Sequence, residues 1–270
     1  MANMVHPTKI LGVTLLHKCN FHCAHCGYLY TAGSDDHDIK PGYRLTMEQI
    51  QKVIADCNSI KGEDQFGFIV NGGEPTLWEE GDLKLIDVLL AIDKGGIIPN
   101  YNTNGSYFSN YDQCHDFFHR YSEEGNLPLM TFVSIDKFHD NYDREKGRAE
   151  SLDNIVRVLD QMPADKREVH RVGVVTIVSK DPKSYLPEEM KEFYGTKGIG
   201  FGSSPLQPIG RAKELKDEIP DMEEFFKNAP PPKRKLHGGM PIATLIGEYY
   251  NQGGEKVAKL GELKDWYSTR

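Results

Sequence analysis

Apolar and polar residues follow two different periods along this chain. Six segments show the alternation or the short apolar run of a β-strand, and these are residues 8–17, 66–70, 97–103, 127–135, 168–179 and 199–206. The segments between them place apolar residues on one face of a helix, over residues 45–60, 78–94, 111–121, 151–162 and 187–194. Thr46 and Gln49 have the spacing of a capping box at the start of the first helix. The pattern therefore predicts strands that alternate with helices.

This alternation predicts parallel strands joined by right-handed crossovers. Six strand–helix units are fewer than the eight of a closed barrel, so we expect the α/β class and a partial (β/α)6 TIM-like barrel. Such folds carry their chemistry at the carboxyl ends of the strands. The rhythm stops after Gly210, where residues 213–239 are charged and then proline-rich, and residues 240–250 suggest a helix. We therefore predict a core domain over residues 1–212 and a C-terminal extension over residues 213–270 that caps the barrel mouth.

The composition fits a globular protein without a membrane span or a nucleic-acid footprint. Hydrophobic residues make up 39% of the 270 residues and charged residues 27%. No apolar run reaches the ~20 residues that span a bilayer, and the first residues lack the basic and then apolar layout of a secretory signal. The formal net charge of −8 argues against broad nucleic-acid binding. From these features we expect a cytoplasmic protein.

Three of the five cysteines lie within eight residues directly after the first strand: Cys19, Cys23 and Cys26. An odd cysteine count clustered in this way argues against a disulfide framework and favours metal binding. Thiolates hold iron–sulfur clusters, and three of them would ligate three irons of a [4Fe–4S] cluster and leave the fourth iron open. Cys57 and Cys114 lie instead at apolar positions of predicted helices, so we expect them in the core.

Zinc is the alternative for the same loop. His17, His22 or His25 would complete a four-ligand zinc site with the three cysteines. Structural zinc sites usually pair one Cys-x-x-Cys with a second pair further along the chain, and the sequence has no second pair. A non-enzymatic zinc-binding module is thus the hypothesis of a different class, and iron and sulfide analysis would separate the two.

Glycine-rich or polar motifs follow four of the other strands. They are Gly72-Gly73-Glu74-Pro75 after the second, Asn102-Thr103-Asn104-Gly105 after the third, Ser134-Ile135-Asp136 after the fourth, and Pro205-Leu206-Gln207-Pro208-Ile209-Gly210-Arg211-Ala212 after the sixth. Glycine lets a backbone approach a ligand closely, and a carboxylate complements an ammonium group. The Gly-Gly and Asn-Gly motifs are each also typical of a tight turn. Their order along successive strand ends is what indicates a site.

The cysteine spacing and these motifs resemble the radical S-adenosylmethionine (SAM) superfamily, over about residues 8–212. The resemblance implies an enzyme that uses a [4Fe–4S] cluster, held by Cys19, Cys23 and Cys26, to cleave SAM to a 5′-deoxyadenosyl radical. It also implies the residues that contact SAM, which are His25, Gly72, Gly73, Glu74, Pro75, Ser134, Asp136 and Gln207. The substrate contacts that it implies are Asn102, Thr103 and Asn104, with Arg171, or Thr176 in its place, from the fifth strand.

The resemblance further implies a flavodoxin or ferredoxin as electron donor and hydrogen abstraction from a bound substrate. The ending of the sixth strand is similar to the branch that contains peptide-modifying enzymes and the molybdenum-cofactor cyclase. That branch usually continues into a cysteine-rich domain with auxiliary clusters. No cysteine follows Cys114 in this sequence, so we expect a single cluster and no such domain.

The sequence leaves the substrate open. We expect a small polar metabolite or nucleotide, because residues 213–270 would cap a small cavity. A ribosomally made peptide or a protein side chain is the alternative, favoured by His139-Asp140 and by the Gly210-Arg211-Ala212 ending. Against it, a first strand that begins by residue 8 leaves no room for a leader-binding domain before it. A glycyl-radical activase is the third hypothesis.

Overall fold

The computed structural model describes residues 9–26, 44–61, 66–139, 143, 147–208, 210–221, 242–243, 248–250, 256–259 and 261–262. The strands are β1 (Lys9–Thr14), β2 (Phe66–Asn71), β3 (Glu79–Glu80), β4 (Leu83–Lys84), β5 (Ile98–Thr103), β6 (Leu129–Ser134), β7 (His170–Val178), β8 (Gly200–Pro205), β9 (Ile242–Ala243), β10 (Glu248–Tyr250) and β11 (Lys256–Lys259). The helices are α1 (Met47–Lys61), α2 (Leu85–Lys94), α3 (Tyr111–Glu124), α4 (Glu150–Gln161), α5 (Ala164–Arg167) and α6 (Glu188–Gly195). Short 3-10 helices lie at Pro75–Leu77, Ser106–Ser109, Pro182–Ser184 and Gly210–Glu218.

One large sheet organises the chain, in the order β11-β10-β9-β1-β2-β5-β6-β7-β8. The six strands from β1 to β8 in this order are all parallel, with helices between them along the chain. Alternate strand residues such as Leu11, Val13, Phe68 and Val70 are fully buried in the core. The predicted α/β class and six-unit parallel sheet are confirmed. Within the described residues β8 and β11 do not pair, so the barrel is not closed.

The predicted helix over residues 78–94 is wrong over residues 78–84. A β3–β4 hairpin precedes α2, and it turns at Gly81, which has a positive φ of 60°. The α2 helix begins only after Lys84, whose backbone N–H donates to the Asp87 carboxylate at 2.8 Å. Trp78 is fully buried and donates its indole N–H to the Leu45 carbonyl at 2.8 Å. The apolar side chain at this position is therefore explained by burial against the loop of Leu45, and not by a place on the apolar face of a helix.

The helix predicted over residues 240–250 is also wrong, since its described residues form strands β9 and β10. The β9 strand pairs in parallel with β1, at Gly12 opposite Ile242, and β10 and β11 continue the sheet in antiparallel fashion. The aromatic pair Tyr249 and Tyr250 suits a strand better than a helix. The proline run and basic cluster at residues 230–235 lie outside the described residues.

The segment after the predicted domain boundary at residue 212 contacts the core. The Gly210–Glu218 helix crosses that boundary, and the Glu218 carbonyl accepts the Lys180 N–H at 2.8 Å. The Glu218 carboxylate also accepts from Lys137 and from Ser179, at 2.5 and 3.1 Å. These contacts fix the segment to the carboxyl ends of β6 and β7, while the division into two domains and the capping role stay predictions. In the described part of the chain, no helix has the length and apolar character that a bilayer crossing needs.

Candidate active site

The loops at the carboxyl ends of the parallel strands surround a cavity of about 460 Å³. It is lined from β1 by the cysteine loop, from β2 by residues 71–74, and from β5 by residues 102–104. Ser134 comes from β6, Ile177 from β7, and residues 204–207 from β8 and its loop. The cavity therefore lies where the fold class predicts the chemistry of such a barrel.

The cysteine loop leaves β1 with its thiols turned toward this cavity. All three cysteines line it, and none of the three is in a disulfide, with Cys19 exposed and the other two half-buried. The backbone N–H of Cys26 donates to the Cys23 carbonyl at 3.2 Å, which turns the loop back on itself. The Cys19 sulfur accepts the Phe21 N–H at 3.4 Å. These local bonds shape a loop whose three cysteines all line the cavity.

The two glycines after β2 are required by the cysteine loop. A Cβ added to Gly73 would lie 2.1 Å from the Lys18 carbonyl oxygen, and one on Gly72 would lie 2.7 Å from that of Leu16. The Gly73 N–H donates to the Leu16 carbonyl and the Glu74 N–H to that of Lys18, both at 2.8 Å. Close packing of two backbones is the reason for Gly-Gly here, in addition to any approach of a ligand.

Glu74 is the most enclosed charged group at the cavity, with 1% of its surface exposed. Its Oε1 accepts the Thr76 N–H, the Thr76 hydroxyl and the Thr103 hydroxyl, at 3.1, 2.7 and 2.7 Å. Its Oε2 accepts the Asn104 N–H at 2.7 Å. Burial raises the pKa of Glu74, and the hydrogen bonds from Asn104, Thr76 and Thr103 act against that rise. The carboxylate joins the loops of β2 and β5, and Oε2 retains acceptor capacity at the cavity.

The polar side chains at the end of β5 have two different roles. Asn102 donates to the Asn71 side-chain oxygen at 2.6 Å on the cavity wall. The Asn104 amide lies against the cysteine loop, 2.9 Å from Asn20 Oδ1 and 3.9 Å from the Cys19 sulfur. Asn102 is therefore available to a ligand in the cavity, whereas Asn104 and its neighbour Thr103 hold other loops in place.

The structure aims Asp136 at His139 and away from the cavity. Its carboxylate is fully buried and accepts the backbone N–H groups of Phe138, His139 and Ile177. The His139 Nδ1 lies 2.9 Å from Asp136 Oδ2. Burial acts to raise the pKa of Asp136, but the close contact with His139 and the charge of that ring outweigh it, and the net pKa is lowered. Burial acts to lower the pKa of His139, and contacts with Asp136 and Cys23 raise it to about 9.

His25 lies in the cavity beside His139 and Phe138, with ring centroids 4.7 and 4.9 Å apart. Burial lowers the pKa of His25 to about 4, against opposing attraction from Asp136. The ring is therefore neutral at physiological pH. A neutral ring is compatible with a cationic ligand in the same cavity.

Most of the site residues suggested by the sequence lie together, and three do not. Arg171 is at the opposite end of β7, where its guanidinium donates to the carbonyls of Glu168 and His170. Pro75 is buried in its 3-10 helix, and Asp136 faces His139. The alternative to Arg171, Thr176, is buried and donates to the Ile135 carbonyl.

Sequence reasoning gave no site role to several residues that line the cavity, among them Asn71, His139 and Arg211. Asn71 directly precedes the Gly-Gly pair at the end of β2, so its position at a strand end was a usable signal. The Arg211 N–H donates to the Cys26 carbonyl at 3.1 Å, which brings the end of the sixth unit to the cysteine loop. His139 carried no signal beyond its motif, because its role depends on the fold of the loop after β6.

Comparison with solved structures gives three examples of similar chains. Streptococcus suis SuiB bound to the precursor peptide SuiA is 13% identical, with a TM-score of 0.49 over 83% of this chain and 46% of that one. SuiB bound to S-adenosylmethionine is 11% identical, with a TM-score of 0.41 over 91% and 60%. Methylornithine synthase (PylB) is 14% identical, with a TM-score of 0.42 over 76% and 57%. This chain thus spans less than two thirds of the length of each.

Comparison of the sequence with curated proteins and with protein-family models identifies the family. No curated protein matches the chain significantly. The family model of the radical SAM superfamily matches residues 13–177, which is 165 of the 270 residues and more than half of the chain. The match begins in β1, includes the cysteine loop and ends in β7. This chain therefore belongs to the radical SAM superfamily, and it is an enzyme whose cofactors are a [4Fe–4S] cluster and SAM.

Proposed function

We propose that Cys19, Cys23 and Cys26 hold one [4Fe–4S] cluster and leave its fourth iron to SAM. Three reduced cysteines on one loop, lining one cavity, are the observation that carries this proposal. Their soft sulfur donors fit the cluster, and their number fits an open iron. Cys57 and Cys114 are fully buried in α1 and α3, which supports a single cluster.

The residues around the thiols suit the binding of SAM. When bound together, the cluster and SAM supply the reductive cleavage of SAM that yields a 5′-deoxyadenosyl radical. Glu74 offers Oε2 to the SAM ammonium group, in surroundings whose low dielectric strengthens the attraction. His25, as a neutral ring, lies against SAM without repelling its sulfonium charge. Ser134 and Gln207 complete the polar contacts along the cavity wall.

The inner wall beyond this region favours a small polar substrate. Its side chains include neutral hydrogen-bonding groups from three strands, namely Asn71, Asn102 and Ser204. Amides and hydroxyls of this kind recognise the hydroxyl and amide groups of a metabolite or a nucleoside. We therefore propose that Asn102 and its partner Asn71 orient the substrate. The hydrogen atom is then abstracted from the part of the substrate that lies beside these two side chains.

A peptide substrate is the second candidate, and the edge of β8 favours it. Among the described residues β8 pairs on one side only, with β7, and Gly200, Gly202, Ser203 and Ser204 are exposed. An extended peptide could add to such an edge by main-chain hydrogen bonds. The strand ends at Ser204 and Pro205, which line the cavity, so an added peptide would run toward it.

A flavodoxin or ferredoxin is proposed as the reductant. Cys19 is exposed, which supports a cluster near enough to the surface for electron transfer from a docked protein. Free thiols and an oxygen-sensitive cluster belong in a reducing compartment, so we also propose a cytoplasmic location and anaerobic handling.

The experiment is anaerobic reconstitution followed by reduction in the presence of SAM. We expect 5′-deoxyadenosine and methionine in equal amounts. A panel of deuterated nucleosides, sugars and short peptides then tests the substrate, because abstraction transfers deuterium into 5′-deoxyadenosine. Transfer from a small polar compound supports the first candidate, and transfer only from peptides supports the second. A reconstituted protein that does not cleave SAM contradicts the proposal itself.

A further inference from the structure

A second set of metal-binding atoms shares one cysteine with the cluster loop. The ligand atoms of Cys23, His25 and His139 all lie within 4.8 Å of one another. Tetrahedral zinc holds sulfur and nitrogen ligands at about 2.3 and 2.0 Å, which sets their mutual separation at about 3.5 Å. Side-chain rotations that move these ligand atoms by about an ångström would therefore bring them to zinc-binding distances.

His139 is oriented for this role by a buried carboxylate. Its Nδ1 lies 2.9 Å from Asp136 Oδ2, at hydrogen-bond distance although the ring N–H points off the line between the two atoms. A proton on Nδ1 leaves the lone pair of Nε2 for a metal. A carboxylate beside the non-ligating nitrogen is the usual support of a zinc-binding histidine. Asp136 is itself fixed by backbone N–H groups of residues 138, 139 and 177.

His25 contributes a buried nitrogen that the protein leaves unsatisfied. Its Nδ1 is buried and, in the described part of the chain, has no hydrogen-bond partner. Burial of an unpaired ring nitrogen is costly, and a metal ion would satisfy it. The His25 and His139 rings lie 4.7 Å apart at 65°, and a ligand nitrogen of each lies within 4.8 Å of the Cys23 sulfur.

We infer that the cluster-free chain binds one Zn²⁺ through Cys23, His25 and His139, with Asp136 supporting His139. The Cys23 thiol and the protonated His139 ring each release a proton to solvent as their bonds to zinc form, no electron is transferred, and the fourth position is left to water. Zinc in this site and the proposed cluster both need Cys23. Bound zinc therefore blocks cluster assembly. This blocking role rests on the proposed function, whereas the zinc site itself does not.

The test is a zinc titration of the full-length, cluster-free chain against a chromophoric chelator. We expect one Zn²⁺ per chain in the parent protein. Cys23→Ala, His25→Ala and His139→Ala should each abolish tight binding. Asp136→Asn should weaken it about tenfold to a hundredfold, as loss of a supporting carboxylate does. His22→Ala is the matched control, since His22 is in the same loop and lines the cavity but is outside the trio.

Cys19→Ala and Cys26→Ala separate this site from a three-cysteine site. Both variants should keep zinc binding within a few-fold of the parent. The inference is overturned when Cys19 and Cys26 prove as necessary as Cys23 while His139 proves dispensable, or when the parent binds no zinc. Circular dichroism checks the fold of each variant, and His139→Gln replaces His139→Ala where the latter unfolds.

A second measurement tests the consequence through iron content, independently of activity. Chains preloaded with zinc should take up iron and sulfide more slowly than zinc-free chains, and chelator should restore the rate. His139→Ala should take up iron equally with or without zinc. Equal uptake by the zinc-loaded parent overturns the blocking role. A chain that binds zinc as described yet assembles no cluster without zinc contradicts the proposed function and leaves the zinc site standing.

Discussion

Replacement of Glu74 by glutamine tests the role of the buried carboxylate with the smallest change of shape. The carboxylate accepts the Thr76 N–H on Oε1 and the Asn104 N–H on Oε2. A glutamine amide has only one oxygen, so in either orientation one of these two backbone N–H groups faces an NH₂ group. A buried donor left without an acceptor costs about 1–3 kcal/mol. We expect Glu74→Gln to lower the free energy of unfolding by that amount.

The same substitution removes the charge proposed to meet the SAM ammonium group. Hydrogen bonds to charged groups contribute about 1.5–3 kcal/mol, which corresponds to a loss of about tenfold to a hundredfold in SAM affinity. The assay is equilibrium binding of SAM to the reconstituted protein, with iron content measured in the same samples. We expect normal iron and a raised SAM dissociation constant.

Glu80→Gln is the matched control for Glu74→Gln. The Glu80 carboxylate also accepts a helix N–H, that of Met47 at 2.5 Å in a half-buried position, but Glu80 does not line the cavity. This variant should lose stability and keep SAM affinity. The reasoning is refuted if Glu74→Gln binds SAM as tightly as the parent while its iron content is normal, or if Glu80→Gln weakens SAM binding equally.

Three further predictions address the core, its pH dependence and the cap. Cys57→Ala should keep the full iron content and lose about 1 kcal/mol of stability, because Cys57 is fully buried in the core; loss of iron would make it a ligand. Burial lowers the pKa of His170 from 6.5 to about 4, so the unfolded chain binds an additional proton between these values. The free energy of unfolding should therefore fall by up to about 3 kcal/mol as pH drops through that window. His170→Gln should flatten this part of the urea-unfolding pH profile, and an unchanged slope would contradict it. A chain that ends after residue 221 should keep its iron and still cleave SAM. Its radical should be quenched more often by solvent, because the mouth of the barrel would be uncovered. Unchanged quenching would show that residues 222–270 do not cap the mouth.

The strands and most helices were predictable because their signal is local and periodic. All six predicted parallel strands are present, and their observed bounds lie within three residues of the predicted ones. The pattern failed where a single residue changes the backbone. Gly81 reverses the chain at positive φ inside a stretch that otherwise has a helical apolar spacing. The β9 and β10 strands exist because the edge of β1 offers them a partner, and no local pattern reports that partner.

The site was predictable as a set of strand ends but not as a set of side-chain directions. Arg171 is in the right strand, but it lies six residues before the cavity residue Ile177, a separation of about 20 Å along an extended strand. Asp136 is at the right strand end, yet the loop after β6 turns its carboxylate toward His139. Motif order therefore locates the loops that meet, while the fold of each loop decides which side chains face the cavity.

Iron content of the single-cysteine variants tests the central claim most directly. After anaerobic reconstitution the parent should hold about four irons per chain and show the thiolate-to-iron absorption band of a cubane cluster. Alanine at any one of Cys19, Cys23 and Cys26 should abolish the stable cluster and with it the cleavage of SAM to 5′-deoxyadenosine. A full complement of iron in any of these three variants would contradict the account.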